Sequence, residues 1–315
     1  MLVLITGGAG FIGHNLARRA LEAGHSVRIF DDFSTGYREN VEGLEADVRE
    51  ASLLDDDALG AAVRGVDSIV HLAALGSVPR SIEDPKRSHE VNASGTLNLL
   101  EHARRADVGH VMFSSSSSVY GLNPRLPKKE RDWVRPMSPY AVAKLAAEQY
   151  VLAYQQSFGI DTLAFRFFNV YGPGQRAGHP YAAVIPVFFE AIKRGEPVWV
   201  NGDGTHSRDF TYVETVCDVL LDAVRRRASH PEPVNLAFGT NTSLIQLISV
   251  MQGISDRPIQ VRFRPTRPGD VPHSQADNTT LLNLFPSVVP VSLQTGLLRT
   301  KEWFDSANPS LQRSS

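Results

Sequence analysis

Leu2-Val3-Leu4-Ile5-Thr6-Gly7-Gly8-Ala9-Gly10-Phe11-Ile12-Gly13 is the stretch that decides the fold. Its first four residues form a short, branched, wholly apolar run, as expected of a strand buried on both faces. A glycine turn follows and opens a helical stretch through Leu16, Ala17, Ala20 and Leu21 that stops at Gly24. A second strand, residues 27–30, ends on Asp31. Strand, glycine turn, helix, strand and terminal carboxylate make a dinucleotide-binding βαβ unit. Gly7 permits the tight turn, Gly10 lets backbone N–H groups approach a pyrophosphate, and Gly13 allows close packing of helix on strand. The helix N-terminus adds partial positive charge where phosphates would lie. Asp31 can accept both hydroxyls of an adenosine ribose and would repel a 2′-phosphate, so NAD is expected over NADP.

Working outward, apolar strands alternate with helical stretches through the first half. Strands are expected at 44–48, 68–73, 110–113 and 163–167, with helices at 53–64 and within 84–105. Ser138-Pro139 starts another helix, an N-cap followed by proline at the first helical position, and Gly159 closes it. This rhythm predicts a Rossmann-like, doubly wound α/β fold whose parallel sheet is covered on both faces. After Asn169 the loops lengthen and fill with Gly and Pro. Helices at 185–194, 213–226, 244–253 and 293–304, and strands at 198–200, 234–238 and 260–264, read as a smaller C-terminal α/β substrate-binding lobe. The expected division is a dinucleotide-binding domain at 1–168, completed by about 208–228, and a substrate lobe over 169–315. A polar tail follows about residue 306.

The totals narrow the function. A chain of 315 residues suits one large domain or two coupled ones. Its 32 basic and 34 acidic residues leave no excess for gripping nucleic acid or an anionic membrane. The single Cys217 excludes an internal disulfide and suits a reducing cytoplasm. No apolar run approaches the ~20 residues of a membrane span, and the N-terminus reads as a core strand. The ten histidines lack ligand spacing, so no metal site is expected.

Tyr140-Ala141-Val142-Ala143-Lys144 places a phenol and an ammonium at i and i+4, on one helix face, about 6 Å apart along the axis. A phenol with a pKa near ~10 is a poor base at neutral pH. A lysine cation and a positive nicotinamide ring would stabilise its phenolate. The run Ser114–Ser118 ends a buried strand at the carboxyl edge of the sheet, where such folds bind ligands.

These stretches carry a resemblance. TGGAGFIG (6–13) resembles the extended short-chain dehydrogenase/reductase superfamily, and FSSSSSVYG (113–121) its epimerase branch. AALGSVPRSIEDP (73–85), SPYAVAK (138–144), FFNVYGPGQ (167–175), YAAVIP (181–186), NGDGTHSRDFTYVE (201–214) and RPGDVPHSQAD (267–277) extend it across both lobes. The chain resembles the NAD-dependent nucleotide-sugar epimerases, nearest the UDP-N-acetylhexosamine and UDP-glucose 4-epimerases. The resemblance implies that Ser116 joins Tyr140 and Lys144 in catalysis. It adds Phe11, Ile12 and Asp32 to the cofactor set, puts Asp47 and Val48 at the adenine, and lines the cofactor channel with Leu72, Ala73 and Ala74. Asn92 is expected in the cofactor set, near the catalytic helix. On the substrate side it implies Asn169 at the sugar or its phosphate and Arg208 with Arg267 as diphosphate clamps. Asp270 is implied at the ribose and Val184 with Val200 at the uracil. Ser274 is implied beside the sugar 2-substituent, small enough to admit an acetamido group.

The implied activity is 4-epimerisation of a UDP-sugar through a transient 4-keto sugar, in a homodimer paired through helices at about 88–105 and 138–158. Three alternatives stand beside it. A 4,6-dehydratase of this family carries Asp-Glu just after the catalytic hydroxyl residue, where this chain has Ser117 and Ser118. UDP-glucuronate 4-epimerases share the VYGLN of residues 119–123. A non-catalytic NAD-sensing protein would lack the tyrosine or lysine, both present here.

Overall fold

Strand β1 (Leu2–Thr6) lies within a seven-stranded sheet. The computed structural model describes residues 1–178, 182–266 and 272–306. The other strands are β2 (Ser26–Asp31), β3 (Asp47–Glu50), β4 (Ser68–His71), β5 (His110–Ser116), β6 (Asp161–Phe167) and a seventh, Val234–Leu236. From one edge the order is Val234–Leu236, β6, β5, β4, β1, β2, β3, and every pairing is parallel. The winding reverses between β1 and β4, and ligands bind at the carboxyl ends of strands beside such a reversal.

Both faces of the sheet are covered, which explains the continuous apolar strands. On one face helix α1 (Phe11–Glu22) and the helix Val213–Arg226 pack Leu16, Ala17, Val216 and Leu220 against Val3 and Ile5. Arg19 of α1 pairs there with Asp218 and Glu214. On the other face the helices Gly95–Arg105 and Pro139–Phe158 pack Leu99, Leu100, Ala147 and Val151 against Leu4 and Ile69. The local signals for Pro139–Phe158 act as expected. Ser138 Oγ accepts from Ala141 N at 3.2 Å, Pro139 opens the first turn, and Gly159 takes the left-handed conformation at φ 69°.

Several elements differ from the reading of the sequence, among them the unforeseen helices Val78–Glu83 and Thr279–Leu284. β3 begins at Asp47, because Leu44 and Ala46 pack on the core from the preceding turn instead of entering the sheet. The strand Val234–Leu236, read as part of the smaller lobe, pairs with β6 as the seventh strand of the large sheet.

The remaining strands form two-stranded pairs: Asn169–Tyr171 with Phe210–Tyr212, Ser207–Arg208 with Thr242–Ser243, and Val198–Asn201 with Val261–Arg264. Helices Val184–Arg194, Leu244–Ile254 and Leu293–Ser306 enclose a separate core around Phe188, Phe189, Met251, Leu297 and Phe304. No helix among the described residues is long and apolar enough to cross a membrane.

Candidate active site

A cavity of about 460 Å³ opens at the carboxyl ends of β1, β2, β4 and β5. Gly7, Gly10, Phe11, Ile12 and Gly13 form its floor, with Asp31 and Asp32 at one end and Leu72, Ala73 and Ala74 along a wall. The glycines are there for space. Gly7 sits at φ 70°, and a methyl on it would lie 2.6 Å from Ala73 N. A methyl on Gly13 would collide with Gly7 O and come within 2.7 Å of Gly8 Cα. Gly10 caps α1 without a side-chain hydrogen bond, and the first turn carries no acidic residue. The unpaired N–H groups of that turn therefore suit an anion. Asp31 accepts from Ala9 N at 2.9 Å and Phe33 N at 2.8 Å; burial raises its pKa, and these two bonds oppose the rise. A narrow glycine floor, an uncapped helix start and a carboxylate at the end of β2 fit NAD.

Further along the cleft stand Ser116, Tyr140 and Lys144. β5 delivers Ser116 and the long helix delivers the other two. Burial raises the Tyr140 phenol, and its hydrogen bond with Ser116 pulls the other way. Ser118 donates from Oγ to Ser116 Oγ at 2.9 Å, so the Ser116 hydroxyl is held from both sides. Lys144 is 2 % exposed, and its Nζ lies 4.4 Å from the Phe113 ring centre. Burial pulls its ammonium down to about 7, against the raising influence of Glu148. A lysine so placed acts as a local charge whose cost falls when a phenolate forms beside it.

A second cavity, about 330 Å³, continues between the lobes and shares Asn169, Val170, Gln175 and Ala183 with the first. Val184 and Arg208 line it. Arg208 Nη1 donates to Ser207 O at 2.9 Å and Pro272 O at 3.2 Å, which fixes the guanidinium at the wall.

Several expected positions move. Asp47 and Val48 do not reach the cofactor cleft. β3 pairs Asp47 with Arg28 and Glu50 with Asp31, so Asp47 lies towards the amino end, engaged with Arg28 and Arg49. Ala51, Ser52 and Leu53 stand in the cleft instead. Val200 is 0 % exposed in the core of the smaller lobe, and strand alternation turns its neighbours Trp199 and Asn201 into the second cavity. Asn92 is buried behind the wall. Its Oδ1 accepts from Leu75 N at 2.9 Å and its Nδ2 donates to Leu75 O at 3.3 Å, so it holds the loop after β4 from outside the cleft. Ser274 lines neither cavity, and its N–H donates to Ser207 O at 3.1 Å. Arg267 and Asp270 lie outside the described residues.

The sequence reading also missed Gln175. It lines both cavities and donates from Nε2 to Val170 O at 3.1 Å, while its buried Oε1 has no partner among the described residues. An unpaired buried acceptor between two clefts is a position made for a ligand donor. No periodicity or spacing marks it.

A dinucleotide cleft, a Ser–Tyr–Lys constellation within it and a second cavity adjoining it define an NAD-dependent enzyme of the extended short-chain dehydrogenase/reductase type. The chain belongs to the NAD dependent epimerase/dehydratase family, whose model matches residues 3–237. It is 36% identical over 310 residues to a UDP-glucose 4-epimerase of Mycolicibacterium smegmatis, covering 96% of this chain and 98% of that one. Among solved structures, it matches the UDP-N-acetylglucosamine 4-epimerase of Methanobrevibacter ruminantium M1, in complex with UDP-N-acetylmuramic acid. The TM-score is 0.91 and the identity 36%, with 96% of this chain and 98% of that chain covered. The Thermus thermophilus UDP-glucose 4-epimerase in complex with NAD matches with a TM-score of 0.88 at 33% identity, covering 98% and 100%.

Proposed function

We propose that the protein is an NAD-dependent 4-epimerase of UDP-sugars. The observation that carries this reading is the meeting of the two cavities at Asn169 and Gln175, with Ser116 and Tyr140 in the cofactor cleft. A nucleotide sugar lying through the second cavity would bring its hexose to Tyr140, with Arg208 beside the diphosphate. Bound NAD supplies a reversible hydride acceptor. Tyr140 Oη takes the proton of the sugar 4-hydroxyl and later returns it, Ser116 hydrogen-bonds the reacting oxygen, and the Lys144 cation stabilises the phenolate. A loose fit around the hexose lets the 4-keto sugar present its other face. Reaction and return leave no net redox change.

Elimination of water, the dehydratase alternative, needs an additional acid and base beside Ser116. The next two residues are Ser117 and Ser118, and the Ser118 hydroxyl is spent on Ser116. Epimerisation is therefore the better reading. UDP-glucose, UDP-N-acetylglucosamine and UDP-glucuronate remain the candidate substrates, in that relatives of all three kinds share the fold. Two copies are proposed to pair through the helices at about 88–105 and 138–158, the second of which carries the exposed apolar side chains Val142 and Tyr150.

The test is a panel of UDP-sugars given to the NAD-loaded protein, with products assigned by NMR. Inversion at C4 with mass unchanged supports the reading. Loss of water or carbon dioxide overturns it.

A further inference from the structure

Below Lys144 lies a buried charge pair. Glu148, one helical turn further on, is 0 % exposed, and Arg166 of β6 is 3 % exposed. Arg166 Nη2 donates to Glu148 Oε1 at 2.7 Å and Nε donates to Oε2 at 3.0 Å. Ser115 Oγ adds a third bond to Oε2 at 2.6 Å. The fork of the guanidinium thus takes both carboxylate oxygens. Lys144 has no carboxylate ion pair of its own among the described residues, although Glu148 is its i+4 neighbour, the spacing at which such pairs form.

We propose that Arg166 is a positioning residue for the catalytic pair: by occupying Glu148, it leaves the Tyr140 phenolate as the counter-charge of the buried Lys144 ammonium. This rests on Tyr140 being the proton acceptor of the reaction. The electrostatic accounting is short. Arg166 offsets much of the Glu148 charge, so Glu148 raises the Lys144 pKa without overcoming burial, and the Tyr140 phenolate becomes the favourable further partner. Without Arg166, the Glu148 carboxylate would serve Lys144, and ionisation of Tyr140 would add a second negative charge to a lysine already paired.

The other groups around the cluster leave this balance in place. From β4, His71 faces Lys144 as a neutral ring, its pKa lowered to about 3 by burial and then by the lysine. From β5 come the Phe113 ring and the serine hydroxyls. Around Arg166 stand the Tyr120 ring, 4.8 Å away, and the backbone oxygen of Glu130, which accepts from Nη1 at 3.0 Å. Burial pushes the Tyr120 phenol up to about 12, so it stays neutral.

The experiment is a pH titration of phenol ionisation by ultraviolet difference absorbance on the NAD-loaded protein, each variant referenced to the same variant carrying Tyr140→Phe. It needs no substrate, so it stands apart from the choice of reaction. Arg166→Gln removes the competitor for Glu148 and is expected to move the Tyr140 titration to higher pH by about one to two units. Glu148→Gln leaves an unbalanced cation and is expected to move it to lower pH by a similar amount. The double variant Glu148→Gln with Arg166→Gln is neutral again and is expected to return to the wild-type midpoint. A purely architectural pair would not give shifts of opposite sign that cancel. Equal midpoints in all four proteins, or single-variant shifts of the same sign, overturn the proposal. If one single variant does not fold, the other decides: a midpoint displaced in its expected direction supports the proposal, and an unmoved midpoint overturns it.

Discussion

The Arg176 guanidinium carbon lies 3.6 Å from the centre of the Tyr37 ring, and the same side chain pairs with Glu39 at 3.5 Å. The contact joins the two halves of the molecule. Tyr37 belongs to the loop after β2, where its N–H donates to Ala9 O of the glycine turn, and Asn40 Nδ2 reaches the same oxygen at 2.8 Å. Arg176 follows Gln175, on the loop that borders both cavities. A clasp there closes the substrate side over the cofactor turn.

Arg176→Ala is therefore expected to weaken NAD retention. A largely desolvated cation–π contact contributes about 2 kcal/mol. If half or all of that acts through closure, the Kd rises by roughly 5- to 30-fold at 1.4 kcal/mol per decade. Bound NAD per protein after purification, and titration of stripped protein, check this. Unchanged retention would show that the clasp does not hold the cofactor.

Gly13→Ala and Gly24→Ala should separate packing from backbone strain. At Gly13 the new methyl meets the backbone of Gly7 and Gly8, which cannot yield without reshaping the pyrophosphate floor. Overpacking of this kind costs about 1–3 kcal/mol or more, and NAD binding should fall with it. At Gly24 nothing lies within 4 Å, but φ is 80°. There alanine should cost about 1–2 kcal/mol of stability and leave NAD binding intact. Denaturant unfolding and NAD titration of both variants give the comparison.

Tyr140→Phe keeps the ring and removes the hydroxyl that bonds Ser116. Turnover is expected to fall by about 10²- to 10⁴-fold, with NAD still bound. Steady-state epimerisation by the purified variant measures it, and near wild-type turnover would remove Tyr140 from the reaction.

Much of this was legible in the sequence because it is local. Ser138, Pro139 and Gly159 act within one helix, and Gly7 to Gly13 act within one turn, so residue type alone predicts their geometry. The failures share a different cause. Asp47 and Val48 lost the cleft to Ser52 and Leu53 because their place depends on where β3 aligns with β2. Val200 was misplaced by one residue, which in a strand reverses the side chain from cavity to core. Gln175 reaches its cavities, and Arg166 reaches Glu148 on the neighbouring helix, only through the tertiary fold, and no spacing rule announces such meetings.

His71 sets a pH dependence of stability. Its Nδ1 lies 2.7 Å from Thr6 Oγ1 and its Nε2 lies 2.9 Å from Thr96 Oγ1. Thr96 donates its own proton to Asn92 O at 2.8 Å, so it accepts from Nε2–H and the ring is neutral. Burial, then Lys144, lowers the pKa from 6.5 to about 3. Below pH 6.5 the unfolded chain therefore binds a proton that the folded one refuses. The associated stability is full above 6.5 and drains as pH falls, by up to about 1.4 kcal/mol per pH unit. His71→Gln cannot titrate, so its stability should fall less steeply between pH 6.5 and 4.5. Urea unfolding at several pH values checks the slope, and parallel curves for wild type and variant would refute the assignment.

Gln175 offers the sharpest test of how the two cavities work together. In the protein alone its buried Oε1 lacks a donor, a state that costs about 1–3 kcal/mol, whereas its Nε2 bond to Val170 O returns about 1. Gln175→Met keeps the length and removes both, so the unliganded protein should be unchanged or up to about 2 kcal/mol more stable than wild type. Substrate binding should respond differently. A sugar hydroxyl or an acetamido N–H reaching Oε1 satisfies an acceptor that has no partner among the described residues, and that gain is lost in the variant. Losing about 1–1.5 kcal/mol corresponds to a KM higher by roughly 5- to 15-fold. If the bond is equally strong in the ground and transition states, kcat should change much less than KM. Comparing UDP-glucose with UDP-N-acetylglucosamine then identifies the donor. A KM penalty confined to the acetylated sugar assigns Oε1 to the amide, and an equal penalty on both assigns it to a shared hydroxyl. An unchanged KM for both sugars would show that the Gln175 acceptor plays no part in holding the substrate.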